Sequence, residues 1–590
     1  MKIEILPEET IEKIAAGEVV ERPVSVVKEL LENSLDAGAT RVEVRFSGGG
    51  INLIEVSDNG RGMSPRELNT AVRRHATSKI KRFEDLEKIS TLGFRGEALP
   101  SIAAVSRLSI TSRVPGSDEG ARLLMEGPGK PALEPAARAD GTTVKVQELF
   151  FNVPARRKFL KSEKTERRHI ISCLEDFAVI RPDVSFKVVS GDRTVLDFTP
   201  STFRERFLAV AGKKLCGSLL EAGFENPYIR VKGFLTAPQK TFASKNKMRF
   251  YVNSRAVHSP LILHSVMEAY RDFIPRGRYP AAAIDIGIDP KLVDVNVHPA
   301  KREVKFVDNQ GVHQILAKVI RNLLEGSPPS FEFEFGREKP ERGGDKSGGR
   351  RGYPGSGGVK RRGTPAAQEN FPSADLSEPT KFTFRGPEKP SPPPRSAGKD
   401  SGIIPRFQYR KRYVVGEDRD GIVIIDQHTA WERINYERLK RQFAEKKINR
   451  QGSLMPAVIE PGPGRAELLL ENIELLNSFG VEVEEFGPGI FRVRALPDTV
   501  SESAGEEIVD DILDILQEKG KAPSREELAD DIIKSIACRS SVMSGDRVSA
   551  EEMNLMVRML EKCSVPHRCP HGRPVIMKVS RKEIDSEFGR

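Results

Sequence analysis

Apolar positions along the chain follow two periods, and the switches between them mark most of its elements. Val26, Val27, Leu30 and Leu31 recur at helical spacing, with Gly38 as a stop just past the end. Arg41 to Phe46 alternates as a strand does, and Asn52 to Val56 forms a second strand that runs into Asp58-Asn-Gly-Arg-Gly-Met63. A helix is expected from Pro65 to about His75. Further strands are expected at Arg107–Thr111, Thr142–Gln147, Phe186–Val189, Met248–Val252 and Ala283–Ile288, and helices at Arg167–Val179 and Val312–Leu324. This mixture predicts two α+β domains, 1–204 and 205–326, split near Arg204. Farther on, Gly421 to Ile425 reads as a buried-type strand feeding a helix that begins at Asp426.

Between these regions both periods vanish. From Ser327 to Ser401, 24 of 75 residues are Gly or Pro, a level at which a chain cannot build a core. Residues 327–402 are therefore expected to be a flexible, mildly basic linker, leaving 403–590 as a C-terminal domain. A net charge of +10 permits nucleic-acid binding without demonstrating it. The start lacks an apolar signal core, and no run approaches the ~18 apolar residues of a membrane span. Five scattered cysteines argue against a disulfide framework and fit a reducing cytosol, so the expected location is cytoplasmic.

Candidate chemistry begins on the first helix. Glu29 and Asn33 are four apart and share a face. Either they simply face solvent, or a carboxylate that handles a water stands beside an amide oxygen that suits Mg²⁺. Asp58 ends a strand with Gly60 and Gly62 close behind; it is a plain turn residue or an acceptor for an adenine amino group. Gly93, Phe94 and Gly96 precede a good helix former, so backbone N–H groups at a helix start are available to phosphates. Gly141-Thr-Thr-Val144 opens a strand whose hydroxyls could join Asp58. No P-loop and no strand-linked GxGxxG is present.

The ordered set resembles the GHKL ATPase superfamily: ExxxNxxDA at Glu29–Ala37, DNGRGM at 58–63, GFRGEAL at 93–99 and GTTV at 141–144. Ile14-Ala-Ala-Gly-Glu-Val-Val20, Arg74-His-Ala-Thr-Ser-Lys79 and Val293-Asp-Val-Asn-Val-His-Pro-Ala-Lys301 narrow the resemblance to the bacterial MutL mismatch-repair family. It implies a Bergerat-type ATPase sandwich, a ribosomal-S5-like second domain, and an α+β C-terminal domain for dimerisation. Glu29 would be the general base for water attack on ATP, Asn33 the Mg²⁺ ligand, and Asp58 the adenine contact, with Gly60, Gly62 and Thr143 around it. Gly93, Phe94 and Gly96 would hold phosphates in a lid running from about Lys79 to Arg95, with Lys79 itself at the nucleotide. Lys301 would reach the γ-phosphate from the second domain.

The C-terminal domain carries a second set. Asp426 and His428 sit at the strand end, and Glu432 lies one turn beyond His428. Cys569-Pro-His-Gly-Arg-Pro574 adds Cys569 and His571, a credible half-site for Zn²⁺. Taken alone, Asp426 is equally a helix cap and Cys569 a small buried thiol. Together the segments resemble the DQHAxxExxxxE and CPHGRP motifs of endonuclease-type MutL proteins, with Thr429 where that family usually has Ala; Ala537-Cys-Arg539 resembles a third motif. The resemblance implies Zn²⁺ and Mn²⁺ held by Asp426, His428, Glu432, Cys569 and His571, with Asp426 and Glu432 also catalytic. An inserted regulatory lobe is expected at about 451–534. It opens on Gln451-Gly-Ser-Leu-Met-Pro456, which reads as a bland loop or, through Gln451, Leu454 and Pro456, as a sliding-clamp motif. The implied partners are a second copy of the chain, a MutS-type mismatch-recognition protein, the clamp, a helicase and double-stranded DNA at the nucleoid, with no membrane. The competing reading is an ATP-dependent matchmaker without its own nuclease.

Overall fold

In a computed structural model of the protein, residues 16–17, 19–79, 96–275, 277–294, 304–326, 402–518, 525–540 and 547–590 are described. The linker and most of the expected lid therefore lie outside the described residues. The first domain is built on eight strands: β1 Arg41–Ser47, β2 Leu53–Asp58, β3 Arg107–Arg113, β4 Gly120–Glu126, β5 Ala132–Ala136, β6 Gly141–Gln147, β7 Ser185–Ser190 and β8 Arg193–Phe198. Their order is β5-β4-β3-β6-β2-β1-β7-β8. One face of the sheet buries Val42, Val44 and Phe46 of β1 with Ile54 and Val56 of β2. Leu30 and Leu31 from helix Pro23–Asp36, and Ile170, Leu174 and Phe177 from helix Glu163–Ile180, close over the same core. This α/β sandwich is the GHKL architecture the motifs implied.

The next sheet contains β9 Leu219–Glu225, β10 Ile229–Thr236, β11 Met248–Val252, β12 Arg255–Val257 and β13 Ala282–Ile288, in the order β12-β11-β13-β10-β9. Strands β11 and β13 are parallel, so the chain must cross over between them, and helix Pro260–Ala269 makes the crossing. It packs beside helix Asn309–Glu325 through Ile262, Val266, Ile315 and Val319.

The C-terminal region has two cores. A four-stranded sheet (Ile404–Tyr409, Tyr413–Glu417, Gly421–Asp426, Ile576–Ser580) packs Val414, Val423 and Ile425 against helices Gln427–Ala444 and Ala550–Glu561. The inserted lobe has a three-stranded sheet, ordered Arg450–Ile459, Ile490–Pro497, Glu482–Gly487, and its own helices.

One expected helix is shorter than its pattern suggested. Pro65 opens a helix that ends at Ala71, and His75 has φ +64°. Leu68 and Val72 are buried, but Arg73, Arg74 and His75 are exposed and have nothing to bury. Without an apolar anchor the last turn gains too little from packing to continue.

Candidate functional site

In the first domain, helix Pro23–Asp36 runs alongside β2 and carries Ser34 to Asp58 and Asn33 and Asp36 to Lys79. The Asp58 carboxylate is buried. Its Oδ2 accepts from the Ser34 hydroxyl at 2.8 Å, and its Oδ1 accepts from the backbone N–H groups of Gly60 at 2.9 Å and Thr142 at 3.2 Å. Three donors fix its orientation, and carboxylate oxygens have further lone pairs to offer an amino group. Glu29 and Asn33 are half-buried on the same helix face. The Asn33 side-chain oxygen accepts from Lys79 Nζ at 3.0 Å, and the same ammonium reaches Asp36 at 2.6 Å. The amide oxygen assigned to Mg²⁺ thus already faces a cation, and its chemistry fits that role. Gly62 has φ +68°, and a Cβ there would lie 2.1 Å from the Arg113 carbonyl oxygen, so only glycine lets the chain turn so close to β3.

Register separates the two threonines of GTTV. Asp58 pairs with Thr142, and Ser57 pairs with Thr143. Directly opposed residues share a sheet face, so Thr142 lies on the Asp58 side and Thr143 on the other. The Thr143 hydroxyl is held by Ser57 at 2.7 Å and Arg138 at 2.9 Å. Sequence reasoning chose Thr143, whereas the structure brings Thr142 to Asp58. Gly96 stands just before helix Ala98–Ala104, as expected. Gly93, Phe94 and Lys301 lie outside the described residues.

The second cluster is organised by helix Gln427–Ala444. Asp426 caps it: Oδ1 accepts from the N–H groups of His428 at 3.0 Å and Thr429 at 3.2 Å. The other oxygen lies 3.8 Å from Arg412 Nε. A stripe at four-residue spacing then grips the distant loop. The Thr429 hydroxyl donates to the Asp426 carbonyl at 3.2 Å and lies 3.5 Å from the Pro574 carbonyl, Arg433 Nε donates to the Arg568 carbonyl at 2.6 Å, and Glu437 accepts from the N–H groups of Ser564 and Val565. The Asp426 N–H also donates to the Val575 carbonyl at 3.0 Å. Segments some 140 residues apart in sequence are therefore laced along one helix face. Within the loop, the Gly572 N–H donates to the Cys569 carbonyl at 2.9 Å, and Gly572 takes φ +84° to close the turn.

A neighbouring stripe of the same helix carries His428 and Glu432. The Glu432 Oε1 lies 3.3 Å from His428 Nε2, and its Oε2 lies 3.7 Å from His571 Nδ1. Donor atoms of Glu432, Cys569 and His571 all fall within 4.8 Å of one another. Glu432 is 1% exposed, and its Oε2 makes no hydrogen bond by geometry. Burial alone would raise this carboxyl; His428, His571 and Cys538 together hold it well below the usual carboxylate range. His571 is pushed up to about 9 by its hydrogen bond to Cys569 and by Glu432. Burial and the Glu432 charge push the Cys538 thiol up to about 12. A buried carboxylate ringed by two imidazoles and two thiols is a donor set that fits a borderline transition-metal ion. Cys538 is the one member that sequence reasoning did not assign. Its motif, Ala537-Cys-Arg539, was visible, but its spacing to the others carries no ligand signature.

In the inserted lobe, pairing between its first strand and Ile490–Pro497 slips between Gly452 and Ala457. The bulge throws Leu454 and Met455 into solvent, at 92% and 84% exposure. Gln451 Nε2 donates to the Val500 carbonyl at 2.7 Å.

Comparison with known proteins places these features. Residues 21–125 match the family described as "Histidine kinase-, DNA gyrase B-, and HSP90-like ATPase". Residues 207–325 match "DNA mismatch repair protein, C-terminal domain", and 406–548 match "MutL C terminal dimerisation domain". The "DNA mismatch repair protein MutL" of Trichlorobacter lovleyi is 38% identical over 593 residues, covering 100% of this chain and 99% of that protein. The protein of the same name from Endomicrobium trichonymphae is 38% identical over 600 residues, with 100% of both covered. The solved "Aquifex aeolicus MutL ATPase domain complexed with ADP" is 29% identical, with TM-score 0.36, over 51% of this chain and 98% of that one. Matched from end to end at this identity, the chain belongs to the MutL family of DNA mismatch repair proteins.

Proposed function

We infer that this protein is an ATP-gated homodimer that couples mismatch recognition by a MutS-type partner to strand-directed repair and itself nicks duplex DNA. The observation that carries the nicking is the convergence of His428, Cys538, Cys569 and His571, from three separate segments, onto the buried Glu432 carboxylate. Glu432, His428, Cys569 and His571 would hold a Zn²⁺, and Asp426 with Glu432 would hold a more labile Mn²⁺ or Mg²⁺. The chemistry supplied by bound ions there is water activation and neutralisation of charge at the phosphate. The test is nicking of supercoiled plasmid by the purified protein with Mn²⁺, with and without ATP and clamp. Nicked circles support the reading; intact plasmid under every condition leaves the matchmaker role.

At the ATP site, Glu29 would orient and deprotonate the water, Asn33 would hold Mg²⁺ and Asp58 would accept from the adenine amino group. Lys79 would exchange Asn33 for the nucleotide phosphates, and Lys301, which lies outside the described residues, would reach the γ-phosphate as the family resemblance implies. A site completed in this way from two domains would let ATP close the N-terminal halves. Permanent dimerisation belongs to the C-terminal sheet, whose outer face exposes Ile404, Phe407, Tyr409, Ile422 and Met577. Register puts Phe407, Val415, Ile424 and Met577 in one row across it. An apolar sheet face of this kind is a partner surface. Phe407→Glu with Met577→Glu should yield monomers in sedimentation, and an unchanged dimer would move the interface elsewhere.

The Leu454–Met455 bulge supports the clamp reading, because a groove-binding peptide must project its anchor. Gln451→Ala with Leu454→Ala should remove stimulation of nicking by the clamp and leave ATP turnover unchanged. Leu454 is exposed and Gln451 gives up a single hydrogen bond, to the Val500 carbonyl, so the double variant should stay folded. A wild-type response to clamp would reduce the segment to an ordinary loop.

A further inference from the structure

A third cluster lies in the second domain, away from both sites. His264 and Glu268 sit four apart on helix Pro260–Ala269, and His313 faces them from helix Asn309–Glu325. His264 Nδ1 is 2.9 Å from His313 Nε2, His313 Nε2 is 3.0 Å from Glu268 Oε2, and the remaining edge of the triangle is 3.9 Å. The rings lie 5.1 Å apart with 32° between their planes. His313 Nε2 therefore stands at hydrogen-bond distance from two atoms while carrying at most one hydrogen. Three atoms with lone pairs converge on one point, and a single cation there would satisfy all of them.

We propose that His264, Glu268 and His313 form a surface site for a divalent transition-metal ion. A tetrahedral ion at ~2.0–2.1 Å from each donor requires donor separations of ~3.3 Å, and the triangle's edges straddle that length. Two imidazoles and one carboxylate select Zn²⁺, Co²⁺, Ni²⁺ or Cu²⁺ over Mg²⁺ or Ca²⁺, which prefer oxygen alone. The fourth position opens to solvent, because His264 and Glu268 are exposed. The apolar packing of the two helices already aligns the donors, so little ordering is needed on binding. The ion would staple the crossover helix to the helix that ends at Glu325, where the chain leaves the domain.

The test uses the full chain, titrated with Co²⁺ and followed by near-ultraviolet and visible absorption. The site differs from the C-terminal cluster in lacking sulfur, so its ion adds ligand-field bands without thiolate-to-metal charge transfer. His264→Ala with His313→Ala should lose one sulfur-free equivalent of Co²⁺ relative to wild type, and Glu268→Gln should weaken it by about 10-fold or more. The variants should keep wild-type circular dichroism and ATP turnover, and Zn²⁺ should raise the thermal midpoint of the second domain in wild type only. Identical stoichiometry and spectra in wild type and the double His variant overturn the proposal. This result is independent of the C-terminal cluster, whose charge-transfer band reports on it separately.

Discussion

Glu29→Ala should lower ATP turnover by about 10²–10⁴-fold while ATP still binds. That range is the usual contribution of a positioned general base. The expectation rests on Glu29 sharing a helix face with Asn33, whose amide oxygen faces the Lys79 ammonium, on a helix that also supplies Ser34 to Asp58. Alanine is the best helix former and Glu29 is only half-buried, so helix Pro23–Asp36 should form in the variant. Phosphate release at saturating ATP, compared with equilibrium nucleotide binding, separates the two effects. Wild-type turnover would remove Glu29 from the mechanism. Weak binding with normal turnover per bound ATP would make it a binding residue instead.

Asp426→Asn should reduce nicking in Mn²⁺ by more than the about 10–100-fold typical of losing an outer-shell partner of a metal, because it removes a proposed direct ligand. The structure makes this an unusually clean substitution. Asp426 Oδ1 caps the helix through the N–H groups of His428 and Thr429, and asparagine caps a helix as well as aspartate. The fold, the dimer and ATP turnover should therefore be preserved while the negative charge is lost. Cys569→Ser is less clean, because Cys569 is 1% exposed and packs in the core under the sheet. If Asp426→Asn nicks as fast as wild type, Asp426 is only a cap. The buried set around Glu432 would then be a structural centre.

The sequence by itself settled whatever is local or repeated in order. The i,i+4 pairs Glu29/Asn33 and His428/Glu432 follow from helical spacing, and the structure keeps each pair on one helix face. Helices Arg167–Val179 and Val312–Leu324 were legible because their apolar period is strong, and both lie inside longer observed helices. The exposed edge strand β5 was not legible, because a strand that buries nothing has no alternating pattern to read.

Other features needed the tertiary structure. Which threonine of GTTV meets Asp58 is a question of strand register, and a shift of one residue exchanges the faces. Cys538 joins Glu432 only because helix Arg525–Arg539 packs against helix Gln427–Ala444. The grip of Thr429, Arg433 and Glu437 on residues 564–574, and the meeting of His264 with His313, are likewise invisible along the chain. In each case the partners are 49 or more residues apart. Such contacts are decided by which apolar faces close on one another, and local periodicity records only that a face exists, not what it meets.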